Sequence, residues 1–230
     1  MTDLPRHPSD QIHKHSVFVV DDHPLVRESL TALINRQHDL YVTGQAADSA
    51  SAFEALLNEG ADAAVVDLAL PGESGLELIK KLQVLSPPPR ILVVSMHEEA
   101  TYAERALRAG ALGYVMKHET TDKVITAIRT VLRGEIYVSG ALASQLAKKY
   151  VGVRVATDFS ITARLSDREL EIFRLIGMGH ETRRIAHDLH VSMKTVQAHC
   201  AGIKDKIGLA NATELIREAV RWVEQQNLSS

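Results

Sequence analysis

Residues 63–75 read Ala63-Ala64-Val65-Val66-Asp67-Leu68-Ala69-Leu70-Pro71-Gly72-Glu73-Ser74-Gly75. The short apolar run Ala63 to Val66 predicts a strand, Asp67 closes it, and Leu-Ala-Leu-Pro-Gly is a loop that ends before a helix starting at Gly75. Outward from this unit the same alternation repeats every 20 to 25 residues or so, the pattern of a parallel sheet wrapped by helices. Strands are predicted at Val17 to Val20, Tyr41 to Gln45, Ile91 to Val94 and Tyr114 to Met116. Helices are predicted at Pro24 to Arg36, Ser51 to Asn58, Gly75 to Leu85, Ala100 to Ala109 and Thr121 to Leu132. Five strands and five helices make an α/β, flavodoxin-like domain with the expected strand order 2-1-3-4-5.

Open parallel sheets gather their chemistry at the carboxyl ends of the strands. Here those ends carry Asp21 and Asp22 after the first strand, Asp67 after the third, Ser95 after the fourth and Lys117 after the fifth. Taken singly, an Asp after a strand is a turn or cap residue and a Lys there is solvated. Their joint occurrence at four of five strand ends points instead to one site. Close carboxylates repel and favour protonation unless a hard cation sits among them, and Mg²⁺ suits an all-oxygen set that leaves waters for a phosphate to replace. A carboxylate held in this way is a nucleophile toward phosphorus.

The chain has 230 residues, 45% of them hydrophobic, enough for two domains of ordinary size. Its single cysteine, Cys200, excludes an intrachain disulfide and a four-cysteine zinc site, and favours a reducing compartment. No apolar run approaches the length that spans a bilayer, and the polar, His-rich start is unlike a signal peptide, so a soluble, cytoplasmic protein with no membrane partner is expected. The net charge of −3 hides an asymmetry. Ser16 to Ser139 holds 11 Lys+Arg against 17 Asp+Glu, a net of −6, whereas Ile161 to Ser230 holds 10 against 9, a net of +1. Any nucleic-acid binding therefore belongs to the second half, and depends on where charge is placed rather than on its total.

After Gly134 the alternation stops. Residues 1–15 are expected to be a disordered tail, in which His13 and His15 are weak metal candidates; 16–138 form the first domain, 139–161 a linker and 162–230 an all-α domain. The linker contains a short helical piece followed by the aperiodic Val-Gly-Val-Arg-Val-Ala-Thr-Asp. The capping box Ser166-Asp167-Arg168-Glu169 starts four helices, at Asp167 to Met178, Thr182 to Leu189, Met193 to Ile207 and Ala212 to Gln225. Within Met193 to Ile207, the residues Val196, Cys200, Ile203 and Ile207 form one apolar stripe that must face the core. The opposite side presents Lys194, Gln197, Ala198, Ala201, Lys204 and Asp205, a surface of small residues able to approach a groove. Ser192 at the N-cap leaves helix N–H groups for a phosphate. The preceding short helix, joined through His190-Val191, gives helix-turn-helix spacing.

Val19-Val20-Asp21-Asp22-His23-Pro24, Val65-Val66-Asp67-Leu68-Ala69-Leu70-Pro71-Gly72, Val93-Val94-Ser95-Met96 and Gly110-Ala111-Leu112-Gly113-Tyr114-Val115-Met116-Lys117 resemble the characteristic blocks of receiver domains of the NarL/LuxR (NarL/FixJ) group. Ser166-Asp167-Arg168-Glu169-Leu170-Glu171, Ile185-Ala186 and Ser192-Met193-Lys194-Thr195-Val196, with His199, Ile203 and Lys206, resemble the LuxR-type DNA-binding domain. The resemblance covers nearly the whole chain outside the tail and linker. It implies a CheY-like receiver in which Asp21, Asp22, Asp67 and the carbonyl of Ala69 bind Mg²⁺ and Asp67 accepts a phosphoryl group from a sensor histidine kinase. Ser95 and Lys117 would hold that group, and Tyr114 would report the switch, unless it is an ordinary strand aromatic. Ala69 and His97 are the two positions that would tune hydrolysis. The protein would not be an enzyme beyond its own dephosphorylation.

The same resemblance puts Gln197, Ala198 and Ala201 at base edges of promoter DNA, with Lys194, Thr195 and Lys204 on phosphates. Two positions depart from the group's pattern: Asp167 stands where proline is common, and Glu181 stands where a Ser, Thr or Asn caps the second helix. A carboxylate there suits the helix dipole but repels DNA phosphate. The base-facing positions also lack basic residues, so binding as a homodimer, formed on phosphorylation, is expected to make up for a weak half-site contact. Ile216, Ala219, Val220 and Val223 of the last helix are the candidate dimer residues; the alternative is that its apolar residues are all core. Cys200 reads as a small core residue rather than a redox sensor.

Overall fold

The computed structural model describes residues 14–150 and 164–228. His13, the rest of the expected tail before it, and the aperiodic part of the expected linker lie outside the described residues. Five strands, β1 (His15–Val20), β2 (Leu40–Ala46), β3 (Ala63–Val66), β4 (Arg90–Ser95) and β5 (Gly113–Met116), form one parallel sheet in the order β2-β1-β3-β4-β5. Five helices connect or follow them: α1 (Pro24–Asn35), α2 (Ser49–Glu59), α3 (Gly75–Leu82), α4 (Glu99–Ala109) and α5 (Thr121–Leu132). The central strands β1, β3 and β4 carry the uninterrupted apolar runs Val17–Val20, Ala63–Val66 and Ile91–Val94 because both of their faces are covered. Val17, Val19, Val65, Leu92 and Val94 meet Leu30 and Ile34 of α1 and Ile125, Ile128 and Val131 of α5. Phe18, Val20, Ala64, Val66, Ile91 and Val93 face the other way, toward α2, α3 and α4.

The expected tail runs too far into the fold. His15 is already the first residue of β1, opposite Leu40, and its amide donates to the Asp39 carbonyl at 2.9 Å. A sheet edge recruits backbone irrespective of side-chain polarity, which is why a His was hard to place from the sequence. Helix α3 ends at Leu82, short of the expected Leu85, and turns through Val84 and Leu85 ahead of the proline run at 87–89.

Register decides where the strand ends meet. Val20 is opposite Val66, Val66 opposite Val93, and Ser95 opposite Met116. Asp21, Asp67, Ser95 and Lys117 are therefore brought to one edge. The loop after β3 is drawn tight: the Gly75 amide donates to the Leu68 carbonyl at 2.9 Å, and a Cβ on Gly75 would lie 2.0 Å from the Asp67 carbonyl oxygen.

A helix α6 (Gly140–Tyr150) occupies the start of the expected linker, anchored by buried Leu142 and by the Ser139 amide, which donates to Glu99 at 2.8 Å. The second domain is wholly helical: α7 (Asp167–Gly177), α8 (Thr182–Asp188), α9 (Met193–Ile207) and α10 (Ala212–Leu228). Its entry is the expected capping box. The Ser166 hydroxyl accepts from the Glu169 amide, and Glu169 accepts from the Ser166 amide at 2.7 Å while also pairing with Lys206 at 2.6 Å. Glu181, by contrast, makes no side-chain cap on α8. Phe173 and Trp222 pack with ring centroids 5.8 Å apart, and Gly177 lets α7 approach the Ala219 carbonyl so closely that a Cβ would lie 2.4 Å from it.

Two outcomes follow from this packing. Gly75→Ala is expected to destabilise the protein by about 2 kcal/mol, read as a lower urea midpoint, because the new methyl must displace the backbone that carries Asp67. Arg129 forms a two-pronged pair with Asp39, at 2.8 and 2.7 Å, which holds that carboxyl down at about 2 from its ordinary 3.8. A lowered folded-state value contributes stability above the unfolded value and loses it as pH falls through the folded one. Arg129→Ala should therefore cost about 1 kcal/mol at neutral pH, and the gap between variant and wild type should close as the urea titration is repeated from pH 4 down to pH 2.

Candidate functional site

The site is built by strand ends rather than by any single loop. Asp21 and Asp67 are 1% and 2% exposed, so they are desolvated side by side. The Lys117 ammonium lies 2.7 Å from Asp21 Oδ2 and 2.6 Å from Asp67 Oδ2, which compensates two buried negative charges with one positive one. Its own backbone is fixed, with the Lys117 amide donating to the Ser95 carbonyl at 2.8 Å. Burial pushes the Asp67 carboxyl up from its ordinary range against the opposing pull of Lys117, and the Asp21 charge adds to the rise. The remaining oxygen, Asp67 Oδ1, accepts weakly from the Ala69 amide at 3.3 Å.

Asp21, Asp22, His23 and Asp67 each offer a ligand atom within 4.8 Å of the others, and they are the one such group among the described residues. Three of the four are the carboxylates singled out in the sequence; His23, whose Nδ1 lies 2.5 Å from Asp22 Oδ1, is the addition. Close carboxylate oxygens, with the Asp22 side chain half-buried, are the donor set a hard divalent cation prefers. Ala69 lies on the wall of a cavity that Asp22 and His23 also line.

Ser95 is fully buried, and its hydroxyl accepts from the His97 amide at 3.3 Å. Tyr114 is buried as well, its hydroxyl donating to the His97 carbonyl at 2.7 Å, which ties the aromatic to the loop after β4. His97 stacks on Tyr102 at 4.5 Å, and burial drives its imidazole down to about 3, helped by the charges of Arg174 and Lys117.

The second domain is docked against this edge. Arg168 donates to the Gly72 carbonyl at 3.0 Å and to the Leu189 carbonyl at 2.9 Å, and the Gly72 amide reaches the Leu189 carbonyl at 3.4 Å. Asp167 pairs with Arg105 of α4 and, at 3.1 Å, with Lys80 of α3. Arg105 also donates to the Leu165 carbonyl at 2.9 Å, and Thr101 to Gln226 at 3.0 Å. Between the domains lies a cavity of about 390 Å³, with Asp22, Ala69 and His97 on one wall and Glu171, Arg174 and His187 on the other. Sequence reading passed over Arg174 and Arg105, and took Glu171 only as the end of a motif block. Asp167 was marked only as an unusual residue at a helix start, which was the one available signal.

On α9, Val196 and Ile203 are buried and Cys200 is half-buried, as the stripe required. Burial raises the Cys200 thiol above its ordinary range, consistent with a core residue. Lys194, Gln197, Ala198 and Ala201 are exposed on the far side; Thr195 and Lys204 are half-buried beside them. The Ser192 hydroxyl accepts from the Thr195 amide at 3.0 Å, so one of the N–H groups expected to be free at this end is already used. On α10, Ile216 is 52% exposed, but Ala219 is completely buried against α7 and leaves the set of candidate dimer residues. Val220 and Val223 are half-buried, and Val223 packs on the core.

Residues 17–129 match the response regulator receiver domain family, and residues 163–219 match the bacterial regulatory proteins of the luxR family. The oxygen regulatory protein NreC of Staphylococcus haemolyticus is 35% identical over 209 residues, covering 89% of this chain and 96% of that protein. NreC of Staphylococcus aureus is 36% identical over 212 residues with the same coverage. Among solved structures, a LuxR-family two-component response regulator from an Aurantimonas species is 34% identical, covers 60% of this chain and 99% of its own, and superposes with a TM-score of 0.55. The RcsB response regulator of Salmonella typhimurium, 24% identical with a TM-score of 0.63 over 91% of this chain and 98% of its own, shares the fold. No described helix is long and apolar enough to cross a membrane. A receiver edge with this constellation, joined to a LuxR-type helix-turn-helix and matched over nearly its full length, places the chain in the NarL/LuxR group of two-component response regulators.

Proposed function

We propose that Mg²⁺-dependent phosphorylation of Asp67 by a sensor histidine kinase controls dimerisation of this protein and its sequence-specific binding to promoter DNA, and thereby transcription in the cytoplasm. The observation that carries the reading is the buried Asp67 beside Asp21, with Lys117 bridging both at 2.6 and 2.7 Å. Bound among Asp21, Asp22, Asp67 and the Ala69 carbonyl, Mg²⁺ would supply the positive charge that keeps the carboxylates ionised and neutralises an incoming phosphoryl group. The chain's own residues do the rest. An Asp67 oxygen attacks phosphorus, an O–P bond forms as the N–P bond of the donor phosphohistidine breaks, and the imidazole leaves with a proton. Lys117 then pairs with the new phosphoryl oxygens, and Ser95, buried next to Asp67, donates its hydroxyl to one of them. That movement of Ser95 frees room for Tyr114 and changes the surface of α4. Ala69 and His97 flank the acyl phosphate and set how fast water removes it, the only turnover expected of the protein.

For the output half, Lys194, Thr195 and Lys204 are assigned to phosphates, and Gln197, Ala198 and Ala201 to base edges. This side of α9 is small, weakly charged and exposed, which suits close approach to a groove but modest affinity for one half-site. Dimerisation through Ile216, with Val220 and Val223 at the border of that patch, would supply the missing strength.

Two measurements test this. Wild type and Asp67→Ala are treated with Mg²⁺ and acetyl phosphate, followed by intact mass, sedimentation and binding to the protein's own promoter. One alkali-labile phosphoryl adduct and a larger species are expected on wild type alone; no adduct on wild type sinks the phosphoacceptor assignment, and equal DNA binding by both sinks the coupling. In a gel shift, Gln197→Ala should cost about 1–3 kcal/mol and relax specificity at one position, whereas Lys194→Ala should weaken all sequences alike and lower the salt slope by about 1. Unaltered binding by both variants would mean that α9 is not the DNA-reading helix.

A further inference from the structure

The docked arrangement has a direction. Lys194, Gln197, Ala198 and Ala201, the groove-facing residues of α9, are exposed to solvent, so the recognition surface is not the face that meets the receiver. What the receiver meets is the start of α7, the end of α8 and the last turns of α10, through Asp167, Arg168, Leu189 and Gln226. These contacts converge on the loop that follows Asp67, at Gly72, and on α4, at Thr101 and Arg105. The apolar cluster on the α2–α4 side of the receiver continues without a break into Leu165, Leu170, Phe173 and Trp222 of the second domain.

From this we infer that the DNA-binding domain is a lid on the phosphoacceptor, clamped by Asp167, and not a domain whose recognition helix is masked. The inference rests on Asp67 being the phosphoacceptor. The roof over the mouth of the site is formed by Glu171, Arg174, His187 and His190, across a cavity whose floor is Asp22, Ala69 and His97. A donor has to reach Asp67 in line with its oxygen, and only the fraction of molecules with the roof lifted offers that approach, so the observed transfer rate is scaled down by that fraction. The roof holds one carboxylate, Glu171, buried and paired with Arg168 at 2.7 Å, whose ionisation is opposed first by burial and also by Asp67, and it stands beside the cationic Arg174.

The clamp residue Asp167 is 12% exposed and shared between Arg105, itself 20% exposed, and Lys80. A partly buried pair of this kind is weak as a source of stability but costly to break on one side, because the partner is left facing an uncompensated environment.

The test uses the full chain as wild type, Arg105→Glu, the milder Arg105→Gln, and the charge swap Arg105→Glu with Asp167→Arg. Three quantities are read: amide exchange at Gly72, the initial rate of phosphorylation by acetyl phosphate with Mg²⁺, and promoter affinity without phosphodonor. Arg105→Glu should speed both Gly72 exchange and phosphorylation by about fivefold or more, with Arg105→Gln smaller in the same direction and the swap returning to within about twofold of wild type. Promoter affinity of the unphosphorylated variant should stay within about twofold. Unchanged Gly72 exchange in both single variants overturns the clamp. Faster exchange with an unchanged phosphorylation rate overturns the lid, and a tenfold gain in DNA affinity would show instead that docking masks α9. No adduct on any form refutes the phosphoacceptor reading itself, while the exchange data still report whether Arg105 and Asp167 hold the domains together.

Discussion

Asp21 and Asp67 lie almost wholly out of water at adjacent strand ends, and the Lys117 ammonium, within 2.7 and 2.6 Å of them, makes that arrangement tolerable. Removing water from two like charges is costly in any medium less polar than water, and the cost falls only if an opposite charge is held at contact distance. Nearly everything else in the receiver serves this constraint. The β1–β3 register sets the carboxylates level, the β4–β5 register brings Lys117 up to them, and the Lys117 amide bonded to Ser95 stops the strand end from fraying. One ammonium against this acidic group leaves negative charge in excess, the setting that suits a divalent cation.

The loop from Asp67 to Gly75 links the chemistry to the rest of the chain. It is pinned at its far end, where Gly75 allows contact with the Asp67 carbonyl that no side chain would permit. Its middle, at Gly72, is bonded to Arg168 and Leu189 of the DNA-binding domain. A charge added at Asp67 is thus one short segment away from the interdomain contact. The second route is Tyr114 through the His97 carbonyl to Tyr102 on α4, the helix that also bears Arg105. Both routes are chains of packed or bonded groups, the kind of connection through which two arrangements of an interface are biased.

The DNA-binding domain solves a different problem, that of holding a small apolar stripe inside while keeping a bland surface outside. Glu169 serves the helix start and Lys206 together, fixing α7 to α9 from one buried carboxylate. Val196 and Ile203 then orient α9 so that its small residues point outward. The result is an outer surface whose shape is well defined and whose charge is slight.

The sequence by itself determined the order of elements, the class of the fold and the residues at the strand ends. An uninterrupted apolar run, a closing Asp and a helix start are local signals, and periodicity reports which side of α9 is buried. The capping box was legible for the same reason, since all of its partners lie within three residues. Only the tertiary structure decided what depends on contacts between distant segments. His15 belongs to the sheet because β2 pairs with it, Ala219 is core because Gly177 lets α7 press on it, and Asp167 is a clamp because Arg105 and Lys80 arrive from 62 and 87 residues away. Glu171 stood only as the last residue of a motif block, and Arg174 gave no local signal. Their place opposite Asp22, Ala69 and His97 follows from how the second domain docks on the receiver, which no local pattern encodes.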